Sequence, residues 1–237
     1  MLTFSSFQKK LKIAGVEFGG QPKEREPVIF ASVKSSAEIS KLKNSPEKFG
    51  VHLFFTDFAK GKSLLISAQK IFQGPVMIES TDPIARARLA LFAKETGFNS
   101  NLIYSSLNTA TSFEELELLR DAKVAAATIY CLGSDSSVES SMKTAERLIA
   151  QFKNCGTKNF LLDAAALPKN QGPDWRRAII ALKQEFGLPT GFSAKAAAEK
   201  SEDELALAAV GAFAGADFIV TSKSIEASRA VKVAARF

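Results

Sequence analysis

Histidine and cysteine are scarce in this chain of 237 residues, which contains one histidine and two cysteines. A zinc site needs several His, Cys or acidic ligands at suitable spacing, and His52 stands alone. We therefore expect no bound metal and assign His52 to a packed or partly exposed strand position. Cys131 and Cys155 are widely separated, and we expect them to be reduced, packed thiols of a cytoplasmic protein.

Long apolar runs are absent as well. No segment approaches the roughly 18 apolar residues of a membrane span, so we expect no transmembrane segment. Residues 1–12 mix phenylalanine with lysine and lack a continuous apolar core, which predicts no signal peptide. The formal net charge of +6 is spread along the chain, which is compatible with an anionic ligand or an acidic partner. No nucleic-acid-binding motif accompanies the lysines, and we expect no nucleic acid partner.

The chain does contain a repeated alternation of strand and helix patterns. Its length and its 46% hydrophobic content fit a single α/β barrel domain over residues 1–237. Amphipathic helical segments separate most of the apolar strands, and eight such units favour a closed (β/α)8 TIM barrel over a doubly wound open sheet, the alternative. The predicted strands cover residues 28–31, 51–55, 76–78, 101–104, 124–130, 160–162, 188–192 and 218–220.

Two local patterns add detail. Within residues 1–24, Ile13, Val16 and Phe18 around Gly15 predict a short β-hairpin, which we expect to plug the lower end of the barrel. Residues 201–204 (SEDE) fit the spacing of a capping box, which predicts that Glu204 completes the start of a helix.

Chemistry in a barrel gathers where the strands end. Two carboxylates, Glu79 and Asp163, end the third and sixth predicted strands and can face each other across the barrel mouth. Such a pair could hold a row of N–H donors on a ligand or act in general acid–base catalysis. The other candidates at strand ends are Lys34, Thr56, Asp57, Ser105, Tyr130, residues 191–196 and residues 221–223.

Asp163 is the most informative of these residues. It follows the apolar run 160–162, and an isolated carboxylate there is costly unless something pairs with it. Three alanines, 164–166, leave open space beside it. Two interpretations stay open: a ligand-binding acid, or an aspartate that only caps the following turn.

Six motifs in order carry a resemblance to a known family. The sequence resembles the H subunit of tetrahydromethanopterin S-methyltransferase, within the pterin-binding barrels of dihydropteroate synthases and corrinoid methyltransferases. The motifs are 15–22 (GVEFGGQP), 75–83 (PVMIESTDP), 102–108 (LIYSSLN), 161–168 (LLDAAALP), 185–191 (EFGLPTG) and 214–219 (AGADFI).

The resemblance implies a tetrahydropterin, tetrahydromethanopterin or a relative, in the barrel mouth. Its methyl group would pass to the cobalt of a corrinoid supplied by a partner protein. Glu79 and Asp163 fall on the family's acids and would accept hydrogen bonds from the amino-pyrimidinone edge. Ser105 falls on the family's fourth-strand asparagine, and Asn108 is retained in the same motif. The resemblance also implies a homodimer or membership in a methyltransferase complex.

The chain departs from the family's pattern at three site positions. Glu79 is one methylene longer than the usual aspartate, and the Ser105 hydroxyl replaces an amide that both donates and accepts. The seventh-strand loop 191–196 (GFSAKA) lacks the asparagine that relatives use near the reacting nitrogen. These departures bear on catalysis more than on pterin binding.

Lys195 and Ser193, in the same loop, form a candidate anion contact. Barrels often bind phosphate after strands seven and eight, where residues 191–193 and 221–224 fall. Lys195 could meet an anionic tail or form a Schiff base if its pKa is lowered, but we favour a solvated lysine.

Three hypotheses follow from the sequence. The first is a cytoplasmic, pterin-dependent methyltransferase that exchanges methyl groups with a corrinoid protein. The second is a catalytically impaired pterin-binding or structural paralogue. The third is a phosphate-binding barrel with lyase or aldolase chemistry at Lys195.

Overall fold

The fold is a closed eight-stranded parallel barrel preceded by an antiparallel hairpin. The computed structural model describes residues 3–22, 24–42, 49–135, 137–168 and 172–234. The hairpin strands are β1 (Lys10–Ile13) and β2 (Val16–Gly19). The barrel strands are β3 (Val28–Val33), β4 (Gly50–Phe55), β5 (Val76–Ser80), β6 (Leu102–Leu107), β7 (Ala126–Tyr130), β8 (Phe160–Asp163), β9 (Thr190–Ser193) and β10 (Phe218–Thr221).

Helices follow the barrel strands and cover the outside of the barrel. In chain order they are α1 (Ser36–Leu42), α2 (Phe58–Ile71), α3 (Pro83–Glu95), α4 (Phe113–Ala122), α5 (Val138–Gln151), α6 (Trp175–Phe186), α7 (Ala194–Ala197), α8 (Asp203–Phe213) and α9 (Ser224–Ala234). A 3-10 turn at Asn99–Asn101 precedes β6. The assignment of residues 1–237 to one domain stays a prediction, because both chain ends lie outside the described residues.

Closure of the sheet confirms the barrel and contradicts the open-sheet alternative. Strand β10 pairs in parallel with both β3 and β9, so the sheet has no free edge. Strand β9 begins two residues later than predicted because Pro189 has no N–H to donate to the ladder. Its carbonyl oxygen still accepts from Leu162 N at 2.8 Å.

The hairpin plugs the lower end of the barrel, as predicted. Phe18 is fully buried and stacks on the Phe30 ring at 6.1 Å between centroids, and Phe30 meets Phe218 edge-on at 6.4 Å. This lower layer is apolar throughout. Its buried members are Leu11, Ile13, Phe18, Phe30, Met77, Ile103, Ala126, Leu161, Phe218 and Val220.

A buried ion pair fastens the lead-in segment to the barrel. Lys183 Nζ lies 2.7 and 2.8 Å from the carboxylate oxygens of Asp217 and donates to Gly20 O at 3.3 Å. The chain crosses α6 closely here: a Cβ on Gly187, whose φ is +59°, would lie 2.1 Å from the Phe7 carbonyl oxygen. Only glycine fits this left-handed position without moving the crossing segment.

The predicted capping box at residues 201–204 is wrong. Helix α8 begins at Asp203 with Glu202 as its N-cap, and no side-chain capping bond forms. Glu204 turns inward instead and is 4% exposed. Its carboxylate accepts from the Thr221 hydroxyl at 2.6 Å and from the Ser222 N–H and hydroxyl at 2.7 Å each. Three donors outweigh the one backbone N–H that a capping box would offer.

The plug gives a direct stability test. We expect Phe18→Ala to lower the free energy of unfolding by about 3–5 kcal/mol, because it leaves a cavity in the lower layer. Phe7→Ala is the matched control: the Phe7 side chain is 87% exposed, so the change should stay within about 0.5 kcal/mol. Urea unfolding followed by circular dichroism measures both. Equal losses in the two variants would show that the hairpin does not seal the barrel.

Candidate ligand site in the barrel mouth

The inward-facing residues change from apolar to polar halfway up the barrel. Side chains two apart on a strand share a face, and on β3, β5, β6, β7 and β8 an apolar residue below is followed two positions later by a polar one above. Ladder register brings several polar residues side by side: Ser32 opposite His52, Glu79 opposite Ser105, and Tyr130 opposite Asp163. We call Ser32, His52, Glu79, Ser105, Thr128, Tyr130 and Asp163 the polar ring.

Asp163 ends β8 with one oxygen engaged in a turn. Its Oδ1 accepts from Ala165 N at 2.8 Å, and Ala165 is buried with a φ of +53°, a rare conformation for a residue with a Cβ. No hydrogen bond from a described residue reaches Oδ2. The turn-capping interpretation is confirmed for Oδ1, and the ligand-binding interpretation stays a prediction for Oδ2.

Burial makes Asp163 an unusual acid. Desolvation raises its pKa to about 7, opposed by the Ala165 hydrogen bond and assisted by the negative charge of Glu79. The carboxyl group is thus close to half-ionised near neutral pH. Asp163 can therefore adopt both the protonated and the ionised form near neutral pH, as general acid–base catalysis requires.

Glu79 is the more accessible acid, with 45% of its side chain exposed. Burial raises the pKa of Glu79. The hydrogen bond and the charge of His52, together with the charges of Arg86 and Lys195, outweigh burial, so the pKa lies below its usual value. The two carboxyl groups therefore differ in ionisation, and such a difference commonly separates the roles of paired acids.

His52 is the partner of Glu79 that the sequence analysis missed. It is packed, as predicted, with 3% of its surface exposed. Its Nε2 lies 2.7 Å from Glu79 Oε2, and its Nδ1 lies 3.1 Å from Ser32 Oγ. The position of His52 in the sequence was the one indication of this contact. His52 lies two residues before Phe54 on β4, and Phe54 is opposite Glu79 in the ladder.

Ser105 and Tyr130 complete the ring on the far side. The Ser105 hydroxyl is buried and accepts from Thr128 Oγ1 at 3.1 Å. Burial, followed by the charges of Asp163 and Glu79, raises the pKa of Tyr130 to about 12. Tyr130 therefore stays a neutral phenol beside the two acids.

A second buried network supports the ring from outside the sheet. Arg86 donates to Glu115 Oε1 at 2.6 Å and to the Ser105 carbonyl oxygen at 3.1 Å. The Tyr104 hydroxyl also bonds to Glu115. The guanidinium thus ties the end of β6 to α3 and α4, and its positive charge contributes to the lowered pKa of Glu79.

Asn108 lies beyond the ring. Its side-chain Oδ1 accepts from Ala110 N at 2.8 Å, and its backbone N–H donates to Thr111 Oγ1 at 2.9 Å. Asn108 therefore stabilises a turn. It borders a cavity of about 610 Å³ shared with Tyr130, Lys143 and Arg147. Its predicted contact with a pterin stays a prediction.

Lys195 is not the solvated lysine that the sequence favoured. Its Nζ donates to Ser32 Oγ at 2.9 Å and lies 5.8 Å from the centre of the Phe54 ring. Burial and then the charge of Lys34 lower its pKa, the direction that Schiff-base chemistry needs. It also borders a cavity of about 430 Å³, so the anion and imine hypotheses both stay open.

The other predicted anion contacts take part in hydrogen bonds within the chain. Ser193 Oγ accepts from Ala196 N at 3.1 Å as the N-cap of α7. The Thr221 and Ser222 hydroxyls donate to Glu204, as described above. The phosphate-binding interpretation of residues 221–224 is therefore weakened, because an internal carboxylate already takes two of its donors.

Comparison with known proteins decides the family. The family described as "Tetrahydromethanopterin S-methyltransferase MtrH subunit" matches residues 65–207, more than half of the chain. This chain belongs to the MtrH family. The predicted site residues at positions 79, 105, 108, 163, 193 and 195 all lie within the matched segment, whereas Ser32 and His52 precede it.

Two relatives show the extent of the likeness to this MtrH-family chain. The H subunit of tetrahydromethanopterin S-methyltransferase from Methanococcus maripaludis is 28% identical over 224 residues, covering 81% of this chain and 70% of the relative. The protein of the same name from Methanothermobacter marburgensis is 27% identical over 230 residues, covering 81% of this chain and 72% of the relative.

The fold of the MtrH-family chain also matches a solved structure. Yersinia pestis dihydropteroate synthase aligns with a TM-score of 0.71 over 95% of this chain and 96% of the synthase. At 12% identity the match shows the shared fold alone.

Neither a cluster of metal ligands nor a membrane-crossing helix is found among the residues that the structure describes. No group of three or more His, Cys, Asp or Glu side chains in this part of the chain could hold a metal ion. Among the described helices, none combines the length and apolar character of a bilayer crossing.

The raised pKa of Asp163 predicts a pH-dependent stability difference. The folded protein keeps the Asp163 proton to higher pH than the unfolded chain, so the wild type loses stability as pH rises from about 4 to about 7. Asp163→Asn keeps the turn cap and carries no charge. We expect it to exceed the wild type in stability by about 2–4 kcal/mol at pH 8, with no gain at pH 4.

Urea unfolding at several pH values measures this difference. Asp135→Asn is the control, because hydrogen bonds from Ser137 lower the pKa of that exposed carboxyl and give the opposite sign. An Asp163→Asn variant that is less stable than the wild type at pH 8 would contradict the raised pKa of Asp163 in the folded protein.

Proposed function

We propose that this chain binds a tetrahydropterin in the barrel mouth and takes part in methyl transfer between it and a corrinoid carried by a partner protein. The observation that carries the proposal is the pair Glu79 and Asp163, two inward-facing carboxyl groups that differ in ionisation. Membership in the MtrH family supports the choice of ligand, since the relatives are named as the H subunit of tetrahydromethanopterin S-methyltransferase.

The donors and acceptors of the polar ring fit an amino-pyrimidinone edge. Asp163 Oδ2 and Glu79 Oε1 are acceptors without a hydrogen bond from another described residue. Both residues are partly exposed, so water can bond to these oxygens and ligand N–H groups can replace it. The ring therefore favours a ligand that presents several N–H donors along one edge.

The chain's own residues have separate roles in this proposal. A methyl-tetrahydropterin supplies the methyl group from a ring nitrogen, and a corrinoid on the partner supplies the accepting cobalt. Glu79 stays ionised and accepts a ligand N–H. Asp163, with a pKa of about 7, can accept in its ionised form and take up or release a proton. Tyr130 remains neutral beside them.

A catalytically impaired paralogue is the second candidate. The Ser105 hydroxyl, in the position of the family's asparagine, already bonds to Thr128. Residues 191–196 contain no asparagine, and Ser193 is used as a helix cap. These features favour a subunit that binds pterin and transfers no methyl group.

Assembly and location stay part of the proposal. The relatives' names describe a subunit, which supports membership in a methyltransferase complex, and the cytoplasmic location stays a prediction from the sequence. A homodimer stays a prediction that rests on the family resemblance.

Calorimetric titration with tetrahydromethanopterin and tetrahydrofolate tests the proposed site. We expect the wild type to bind at least one of them and Asp163→Ala to weaken binding by about 100-fold or more, because it removes a charged acceptor. Asp135→Ala, on an exposed loop, is the matched control and should bind like the wild type.

The outcomes separate the two candidates. Methyl transfer from the methylated pterin to free cobalamin supports the enzyme, whereas binding without transfer supports the paralogue. Binding that survives in Asp163→Ala, or no binding to either pterin by the wild type, would overturn the proposed site.

A further inference from the structure

A line of side-chain contacts runs from the seventh-strand loop to Glu79. Lys195 Nζ lies 2.9 Å from Ser32 Oγ, Ser32 Oγ lies 3.1 Å from His52 Nδ1, and His52 Nε2 lies 2.7 Å from Glu79 Oε2. These four residues, which we call the relay, come from the α7 segment and strands β3, β4 and β5. The relay joins a loop on one side of the mouth to an acid on the other.

Donor chemistry fixes which group donates at each end of the relay. A lysine ammonium only donates, so Ser32 Oγ accepts from Lys195. Ser32 Oγ also shares a hydrogen bond with His52 Nδ1, in which a neutral imidazole accepts the hydroxyl proton and an imidazolium donates to the hydroxyl oxygen. At the other end the Glu79 carboxylate only accepts, so the proton of this contact belongs to His52 Nε2 in both cases. Every polar atom of the buried imidazole is satisfied in this arrangement.

We propose that His52 is the positioning residue of the site: its Nε2–H holds Oε2 of Glu79, so that Oε1 is the single oxygen this acid presents to a ligand. The inference rests on the proposed function, which makes Glu79 a ligand contact. With Asp163 Oδ2, the site then offers one acceptor from each acid, which matches a heterocycle edge with two N–H groups.

The register of the sheet explains why a glutamate serves here. His52 is opposite Met77, two residues before Glu79 on β5, so the carboxylate must reach back along the strand to meet Nε2. The additional methylene of glutamate supplies that reach. The longer side chain, read from the sequence as a departure from the family's pattern, thus has a partner in this chain.

Nitrogen-15 NMR tests the contact without any ligand. The chain has a single histidine, so the spectrum contains one imidazole. We expect a slowly exchanging Nε2–H proton that shifts and exchanges faster in Glu79→Gln, and a changed Nδ1 resonance in Ser32→Ala. An Nε2–H signal that is absent or unaffected by Glu79→Gln would overturn the proposal.

Tetrahydromethanopterin titration of His52 variants tests the positioning role. His52→Leu removes the donor, and we expect the dissociation constant to rise about 10-fold or more. His52→Gln keeps an N–H near the place of Nε2 and should stay within about 3-fold of the wild type. In a Glu79→Gln background, His52→Leu should add little, because the residues act as one unit.

Urea unfolding of both His52 variants is the control. Equal midpoints in the two variants would exclude a difference in stability as the cause of a difference in affinity. Equal loss of affinity in His52→Leu and His52→Gln, or an undiminished effect in the Glu79→Gln background, would show a packing role only. A wild type that binds no pterin would refute the proposed function, and the NMR experiment would still decide whether His52 holds Glu79.

Discussion

The half-satisfied carboxyl group of Asp163 is the constraint on which the site depends. Partial removal of this half-buried acid from water raises its pKa, and one of its oxygens has no donor among the described residues. Among the residues that the structure describes, no cation pairs with Asp163: Lys195 donates to Ser32, and Arg86 is committed to Glu115. The barrel therefore carries an unfavourable group at its mouth, which is typical of a binding or catalytic position.

The lower half of the barrel provides the stability that such a group requires. Phe18 of the hairpin fills the lower opening, and the buried Lys183–Asp217 pair fixes the segment that carries it. Apolar packing below and polar residues above divide the interior into a supporting half and a binding half. Alternation makes residues two apart on a strand face the interior together, and the sequence places apolar residues at the lower of these positions and polar residues at the upper ones.

Much of the fold and part of the site could be predicted from the sequence. Apolar strands, the hairpin pattern around Gly15, and acids at strand ends indicated the barrel, its plug and the pair Glu79 and Asp163. Interactions between neighbouring strands could not be predicted, because they depend on register: the contact of His52 with Glu79 joins residues on adjacent strands. The prediction for Glu204 failed for the same reason, since its local spacing fits a cap while its partners are 17 and 18 residues away.

A crystal structure of the protein with bound tetrahydromethanopterin tests the central claim most directly. We predict one ligand N–H within hydrogen-bonding distance of Asp163 Oδ2, a second at Glu79 Oε1, and His52 Nε2 still on Glu79 Oε2. A pterin seated in the cavity beside Asn108 and Arg147, with both carboxyl groups of the mouth untouched, would contradict the claim.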